Sequence, residues 1–319
     1  MIIDILYIVL GLLLLVKGGD YLVDGSVAIA ERAKLSKMVI GLTVIGFGTS
    51  MPELLVSAQS ALIGNSGIAI GNVVGSNISN IALILGATAL IHPIPAQRIT
   101  LRVDLPFMLL ASILFVAAAY TGSIERWMGV IGVLLLVLFV TYQIWTSRKA
   151  GHTDNCTQHH EGEVEAKKPM ALWKALLMVV LSFCAMVFGA DKLVEGASDI
   201  ARQLGVTDRI IGLTIVAVGT SLPELFASLM AARKGETDMA IGNIIGSVTF
   251  NILSVIGVSA AIAPIMDSNV GFLFDYALMT LLGFLLWVFL RTKYELERWE
   301  GFVLCCIYIL YIIKTIFWG

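Results

Sequence analysis

Two glutamates interrupt apolar runs of the chain within nearly identical text. Glu53 lies in GLTVIGFGTSMPEL, residues 41–54, and Glu224 lies in GLTIVAVGTSLPEL, residues 212–225, an offset of 171 residues. The same offset aligns two pairs of hydroxyl residues, Thr49 and Ser50 with Thr220 and Ser221. A carboxylate within an apolar helix costs about 2.5–3.5 kcal/mol even on the most lenient insertion scale. Chemistry is therefore a better explanation for these glutamates than packing.

A proline precedes each glutamate and predicts a break in its helix. Pro52 has no N–H to donate, and its ring crowds the carbonyl of Gly48, four residues earlier. Thr49 and Glu53 are four residues apart and share a helix face. The second stretch repeats this arrangement around Pro223. Irregular backbone at membrane depth is tolerated only where it is buried in protein or lines a cavity, so we expect an oxygen-lined cavity.

A second set of polar residues follows each glutamate at a fixed distance. Ser76 and Ser247 each come 23 residues after the glutamate of their stretch. Asn80 and Asn251 are four positions further on, each on the helix face of its serine. Such residues can also serve only to hold neighbouring helices together. Their matched spacing favours a site shared with the glutamates.

The ligand types indicate a hard cation. The residues of both sets offer only oxygen, and calcium takes six to eight oxygen ligands. No imidazole or thiolate is among them, which disfavours zinc and copper. One calcium ion, two sodium ions or two protons would balance two carboxylates. An empty site would have to cross the barrier between its inward-facing and outward-facing states while carrying its negative charge. The electrostatics therefore favour exchange of one ion for another, without choosing the counter-ion.

The composition predicts that these residues lie in a membrane. Hydrophobic residues make up 58% of the chain and charged residues 14%, whereas soluble domains carry about 25% charged residues. A spanning helix needs roughly 20 apolar residues, so we expect an all-α membrane protein with ten spans. The first run lacks the basic region and cleavage pattern of a signal peptide. The spans are predicted near residues 2–23, 38–63, 69–90, 103–121, 126–146, 171–191, 207–232, 239–262, 271–290 and 298–317.

The duplication predicts the domain organisation and the orientation. We expect a five-helix repeat in residues 1–147, a linker loop in 148–170 and a second five-helix repeat in 171–319. Since five is odd, the second repeat enters the membrane from the opposite side. On this topology 15 basic residues fall on one side and 5 on the other. Basic residues favour the cytoplasm, which predicts a cytoplasmic linker and external termini in the plasma (inner) membrane.

The predicted linker contains residues that could suggest a metal site: His152, Cys156, His159 and His160. Zinc sites follow strict ligand spacings, and no matched pair of ligand motifs is present in the loop. A solvated linker is therefore the better interpretation.

The paired motifs GTSMPEL and GTSLPEL, with GSNISN and GSVTFN, resemble the duplicated repeats of the calcium/cation antiporter superfamily, specifically its prokaryotic sodium/calcium exchangers. The resemblance covers essentially the whole chain. It implies two inverted repeats of five helices, with broken helices at the ion site. The second, third, seventh and eighth helices would form a core against which the first and sixth slide. It further implies that calcium and sodium are bound by Glu53, Glu224, Thr49, Ser50, Thr220, Ser221, Ser76 and Ser247, and by the carbonyls of Gly46 and Ala217.

One position departs from the family pattern. Where the best-known sodium/calcium members carry an aspartate, this chain has Asn251, which matches Asn80 of the first repeat. We expect these asparagines to serve as neutral ligands or to hold a water. A third acid is missing, so calcium/proton antiport stays open as an alternative to calcium/sodium antiport by alternating access. The expected partners are calcium, sodium and the lipid bilayer, with no cofactor, no nucleic acid and no obligatory protein partner.

Two other classes of protein have to be weighed. Paired acids within a membrane could share a proton, as in an aspartyl-type protease. The hydroxyls and amides around the glutamates suit ion coordination better than peptide hydrolysis, while Asp20 and Asp191 lie near span ends. We therefore do not expect an enzyme. A passive cation channel would differ from an antiporter because its calcium flux would need no counter-ion.

Overall fold

The computed structural model describes residues 1–154, 170–206, 217–266 and 272–318, together with Ile211 and Ile215. The helices are α1 Ile2–Ala33, α2 Lys37–Thr49, α3 Met51–Leu62, α4 Ser66–Ile91, α5 Thr100–Tyr120, α6 Arg126–Asp154, α7 Leu172–Gln203, α8 Ala217–Gly219, α9 Leu222–Arg233, α10 Thr237–Ile262, α11 Leu273–Lys293 and α12 Arg298–Trp318. Four two-residue strands connect them: β1 Ile94–Pro95, β2 Ser123–Ile124, β3 Ile265–Met266 and β4 Glu295–Leu296.

The prediction of an all-α membrane protein is confirmed. Within the described residues, eight helices are long and apolar enough to cross a membrane. Helices α2 and α3, bent by 46° at their break, make a ninth if the pair is counted as one span. The first half of the predicted seventh span lies largely outside the described residues, and its second half is α8 and α9. Helices α1 and α7 have 32 residues each and run past the predicted ends of their spans. The reason is that helix-forming alanine, glutamate and arginine follow both apolar runs.

Helices α4 and α10 form the centre of the protein. Their most apolar segments are 72% and 83% buried, against 22–39% for the other long helices. Helix α2 packs on α10 through glycines, since a Cβ at Gly41 would lie 2.6 Å from the carbonyl oxygen of Met239. A Cβ at Gly242 would lie equally close, 2.6 Å, to that of Met38. Small residues thus bring the broken helix against the central one.

Helices α1 and α7 contact each other along a seam of small residues. These residues recur every seven positions: Gly11, Gly18 and Gly25 on α1, and Ala175, Ser182 and Gly189 on α7. A Cβ at Gly11 would lie 2.5 Å from the carbonyl oxygen of Gly189, and a Cβ at Gly25 would lie 3.1 Å from that of Ala175. As the residue number rises along α1, the number of its contact partner on α7 falls, so the two helices are antiparallel. The short distances show that their backbones lie close together.

Helices α4 and α10 also run in opposite directions. The hydroxyl of Ser66, at the start of α4, accepts a hydrogen bond of 3.0 Å from the backbone N–H of Met266, just past the end of α10. At the other end, Gln97 follows α4 and donates a hydrogen bond of 2.7 Å to Asp238 in the first turn of α10. Strand β1 pairs with β4 and β2 with β3, so each strand pair joins the first half of the chain to the second.

Candidate ion site

Both predicted glutamates lie in the first turn of a helix that begins at a break. Glu53 is the third residue of α3 and Glu224 the third of α9, and each is 1% exposed. Pro52 and Pro223 occupy the second helical position, where an N–H has no partner within the helix. Proline therefore begins each new helix without the loss of a hydrogen bond. The positive end of the helix dipole then stabilises the carboxylate charge.

The break at the end of α2 gathers oxygens around Thr49. The Thr49 hydroxyl lies 3.1 Å from the carbonyl oxygen of Ile45 and 3.4 Å from that of Gly46. It also lies 3.3 Å from Oδ1 of Asn243 and 3.3 Å from Oγ of Ser247, both on α10. The Thr49 hydroxyl has one hydrogen to share among three acceptor oxygens, while the Ser247 hydroxyl can either donate or accept. This excess of oxygen lone pairs suits a bound cation.

Gly46 permits this close contact between α2 and α10. Ser247 Oγ donates to the carbonyl oxygen of Gly46 at 3.4 Å. A Cβ at Gly46 would lie 3.0 Å from the backbone nitrogen of Ser247 and 3.2 Å from the carbonyl oxygen of Asn243. Any larger residue would push the two helices apart. The structure thus brings together the predicted carbonyl ligand of the first half and the predicted serine of the second.

Several buried oxygens near the breaks have no hydrogen-bond partner within the described part of the chain: Glu53 Oε2, both carboxylate oxygens of Glu224, Ser50 Oγ and Ser221 Oγ. Ser76 approaches the remaining Glu53 oxygen, Oε1, at 3.5 Å. An unpaired buried polar group costs about 1–3 kcal/mol, and more when it is charged. These groups fit a cation that would supply the missing partner.

The predicted asparagines differ in their contacts. In Asn80 both the amide nitrogen and the amide oxygen are buried without a partner among the described residues. Asn251 donates its amide to Oδ1 of Asn77 at 3.0 Å, and its own Oδ1 has no partner there. Both lie in wide helical turns, Ser79–Leu85 and Asn251–Ile256, of the π type common at functional sites. Each asparagine therefore keeps an oxygen available as a neutral ligand.

Sequence reasoning missed a pair of asparagines that support the site. The side-chain amide of Asn72, on α4, donates to the backbone oxygen of Glu53 at 3.1 Å and to the hydroxyl of Ser57 at 2.8 Å. Glu53 and Ser57 both lie on α3. The side-chain amide of Asn243 likewise donates to the backbone oxygen of Glu224 at 3.3 Å and to the hydroxyl of Ser228 at 2.9 Å. Both asparagines are related by the 171-residue offset and stand in the motifs GNVVGSN and GNIIGSV. This match between the two motifs was the sequence signal that could have identified both asparagines as part of the site.

The remaining predicted site residues are less fully described. Thr220 lines a cavity of about 220 Å³ together with both prolines of the breaks. Ala217 begins the short helix α8. Within the described residues no three His, Cys, Asp or Glu side chains come together as a metal cluster. The linker residues Cys156, His159 and His160 and the side chain of His152 lie outside the described part of the structure.

Comparison with protein families gives one match over most of the chain. The model of the sodium/calcium exchanger protein family matches residues 3–145 and 174–317. The putative antiporter CaxA of Alkalimonas amylolytica is 38% identical over 314 residues, which cover 98% of each chain. The sodium/calcium exchanger MaX1 of Methanosarcina acetivorans is 34% identical over 346 residues, again with 98% of each chain covered.

A solved structure agrees with these sequence matches. That of the sodium-calcium exchanger NCX_Mj superimposes with a TM-score of 0.81 at 32% sequence identity. The match covers 98% of this chain and 99% of the other. The likeness therefore extends over both halves of the fold and includes the helices that carry the candidate site.

Proposed function

The chain belongs to the sodium/calcium exchanger family, and we propose that it exchanges calcium for sodium across a membrane by alternating access. It is a transporter of the calcium/cation antiporter type rather than an enzyme. The observation that carries the proposal is the pair of buried glutamates at two helix breaks, with carboxylate oxygens that have no hydrogen-bond partner among the described residues.

Charge balance supports calcium and sodium as the exchanged ions. Two carboxylates carry two negative charges, which one calcium ion or two sodium ions neutralise. The surrounding oxygens are neutral and hard, as both ions prefer. The proposed ligands are Glu53, Glu224, Thr49, Ser50, Thr220, Ser221, Ser76 and Ser247, with Asn80, Asn251 and the carbonyls of Gly46 and Ala217. Since the filled site is neutral with either ion, crossing between its two faces is easier when it is loaded than when it is empty.

The proposed architecture is an inverted repeat of two five-helix units, residues 1–147 and 171–319. Two contacts support it: the antiparallel course of α4 and α10 and that of α1 and α7, which are pairs related by the 171-residue offset. The matched hydrogen bonds of Asn72 and Asn243 support the same relation. Two units of opposite orientation can offer one central site to either side of the membrane in turn.

The orientation we propose places the linker 148–170 in the cytoplasm and both termini outside the plasma (inner) membrane. The count of 15 basic residues against 5 supports it. The proposed transporter needs only its ions and the bilayer as partners.

A calcium/proton antiporter is the second candidate, and one observation favours it. Asn251 leaves the site with two carboxylates, and two protons neutralise them as well as two sodium ions do. The oxygen-rich surroundings of Thr49 favour sodium, since a proton needs one acceptor and not several.

Calcium uptake into proteoliposomes tests the proposal. The purified protein is given an outward sodium gradient, an outward proton gradient, or neither, at the same external calcium concentration. We expect uptake with the sodium gradient alone. Uptake that follows the proton gradient and ignores sodium would establish calcium/proton antiport instead. Uptake without either gradient, at an undiminished rate, would indicate a channel.

A further inference from the structure

Lys234 joins the helix that carries Glu224 to helix α1. It directly follows α9, and its Nζ lies 2.7 Å from Oδ1 of Asp24. The same nitrogen donates to the backbone oxygen of Asp20 at 2.7 Å and lies 3.7 Å from the Asp20 carboxylate. Helix α9 is continuous over 12 residues. Glu224 and Lys234 therefore stand at opposite ends of one rigid element.

Beside this ion pair, α1 packs directly on α9. A Cβ at Gly19 would lie 2.9 Å from Cγ of Met230 and 3.1 Å from the backbone oxygen of Phe226. Met230 is buried in this contact, with 4% of its surface exposed. This face of α1 is therefore closed against α9.

The matching face of α7 is open. The 171-residue offset relates Asp20 to Asp191. Asp191 lines a cavity of about 220 Å³ that is also lined by Thr220, one of the proposed ligands of the ion site. Its side chain is 71% exposed and lies 3.9 Å from Lys192, a neighbour on its own helix. The two faces thus differ, one sealed by a helix contact and one accessible.

The sequence explains why an ion pair bridges only one face. The position matching Lys234 is Ile63, which is exposed and has no charge to offer. The position matching Asp24 is Glu195, which pairs with Lys192 of the same helix at 2.5 Å. The open face therefore has acidic residues on α7 and no lysine at the matching end of α3.

We propose that Lys234, Asp20 and Asp24 form a latch that holds α1 against α9 and so keeps one side of the membrane closed. The inference rests on the proposed exchange by alternating access, in which the closed face must open once in each cycle. Opening separates α1 from α9 and breaks the latch. Since α9 carries Glu224, the latch links closure of this face to the position of a proposed calcium ligand.

The latch biases the equilibrium between the two states without fixing it. Ion pairs between partly exposed side chains are weak, and a pair of this kind changes a two-state ratio by up to about fivefold. A stronger bond would trap the transporter in one state. Loss of the latch should therefore increase opening of the closed face by up to about fivefold and leave the fold intact.

Labelling of a cysteine at the closed face measures this opening. Met230→Cys is introduced into protein whose four native cysteines are replaced by serine. In proteoliposomes, a membrane-impermeant maleimide is applied to each side in turn. Lys234→Met removes the charge and keeps most of the side-chain length, and it should raise the labelling rate by up to about fivefold. Lys37→Met is the matched control, because it breaks a 2.7 Å ion pair with Glu236 that does not involve α1.

Unchanged labelling in Lys234→Met, or an equal increase in the Lys37→Met control, would overturn the latch. Asp24→Asn removes the same ion pair from the side of α1, and it decides the question if Lys234→Met does not fold. Calcium exchange by the parent protein is measured in the same vesicles. If the parent protein shows no calcium exchange, the proposed function is rejected. The ratio of the labelling rates with and without Lys234→Met would still test the latch.

Discussion

At the scale of single residues, the proposed ion site contains two carboxylates, and no basic side chain among the described residues balances their charge. Glu53→Gln and Glu224→Gln each keep the side-chain shape and remove one charge. At an effective dielectric constant of about 20, two unit charges 4 Å apart attract each other by about 4 kcal/mol, and the attraction to a doubly charged calcium ion is larger still. We therefore expect each variant to bind calcium at least about a thousandfold more weakly and to lose calcium exchange. Calcium binding and proteoliposome uptake measure the two effects.

Glu300→Gln is the matched control for these variants. Glu300 is also buried, but it lies in the first turn of α12, where it accepts a hydrogen bond of 2.8 Å from the backbone of Glu297. The amide oxygen of glutamine can still accept that bond, so transport should persist. Normal exchange by purified Glu53→Gln or Glu224→Gln would rule out the assigned site.

A second prediction concerns Asn243, which touches both halves of the site. Its oxygen is 3.3 Å from the Thr49 hydroxyl, and its amide nitrogen donates to the backbone of Glu224 and to Ser228. Asn243→Ala should weaken calcium binding about 10–100-fold, as loss of a supporting residue does at other metal sites. Calcium titration measures the change in affinity. An unchanged affinity in folded Asn243→Ala would show that Asn243 serves packing alone.

The sequence predicted the glutamates more readily than the residues that support them. A carboxylate in an apolar run stands out because its burial is costly, and the duplicated text doubled the signal. Asn72 and Asn243 stand in the same motifs, but an asparagine inside a helix is also an ordinary way to join helices. Only the distances to the glutamate backbone and to Ser57 or Ser228 separate these roles.

At the scale of helices, the seam between α1 and α7 makes a prediction about stability. A Cβ at Gly11 would lie 2.5 Å from the carbonyl oxygen of Gly189, which cannot move without its helix. Although alanine favours helix by about 1 kcal/mol over glycine, overpacking typically costs about 1–3 kcal/mol. Gly11→Ala should therefore destabilise the protein or loosen the contact between α1 and α7. Thermal unfolding in detergent measures the effect.

Gly67→Ala is the control for this substitution. Gly67 lies in the first turn of α4, and the nearest atom to its added Cβ would be 3.9 Å away, an ordinary contact distance. Its melting temperature should stay level or rise slightly. If Gly11→Ala melts no lower than Gly67→Ala, the seam is not closely packed.

Local chemistry predicted the helix breaks better than the helix lengths. A proline constrains its own turn, so the position of Pro52 was enough to locate the break between α2 and α3, which bends the span by 46°. The wide turns at Ser79–Leu85 and Asn251–Ile256 carry no such marker. They arise where the central helices pack against several neighbours, which the sequence of one helix does not encode.

At the scale of the whole molecule, the duplicated motifs predicted two related halves, and the structure adds how they meet. Each half supplies one central helix, and these helices run in opposite directions. The difference between the closed face at Lys234 and the open face at Asp191 was not predicted. The repeat relates the two faces, but only the ion pair of Lys234 with Asp24 and the cavity at Asp191 show which face is packed shut in this structure.

The orientation in the membrane gives the last prediction. The count of fifteen basic residues against five predicts that the linker, and with it Cys156, lies in the cytoplasm. With Cys184, Cys305 and Cys306 replaced, an impermeant thiol reagent should label Cys156 only in opened cells. The matched control is Leu204→Cys in a chain without other cysteines, because Leu204 is 78% exposed at the end of α7, on the proposed outer side. That cysteine should be labelled in intact cells. Labelling of Cys156 in intact cells, with Leu204→Cys protected, would reverse the proposed topology and place the Lys234 latch on the external side.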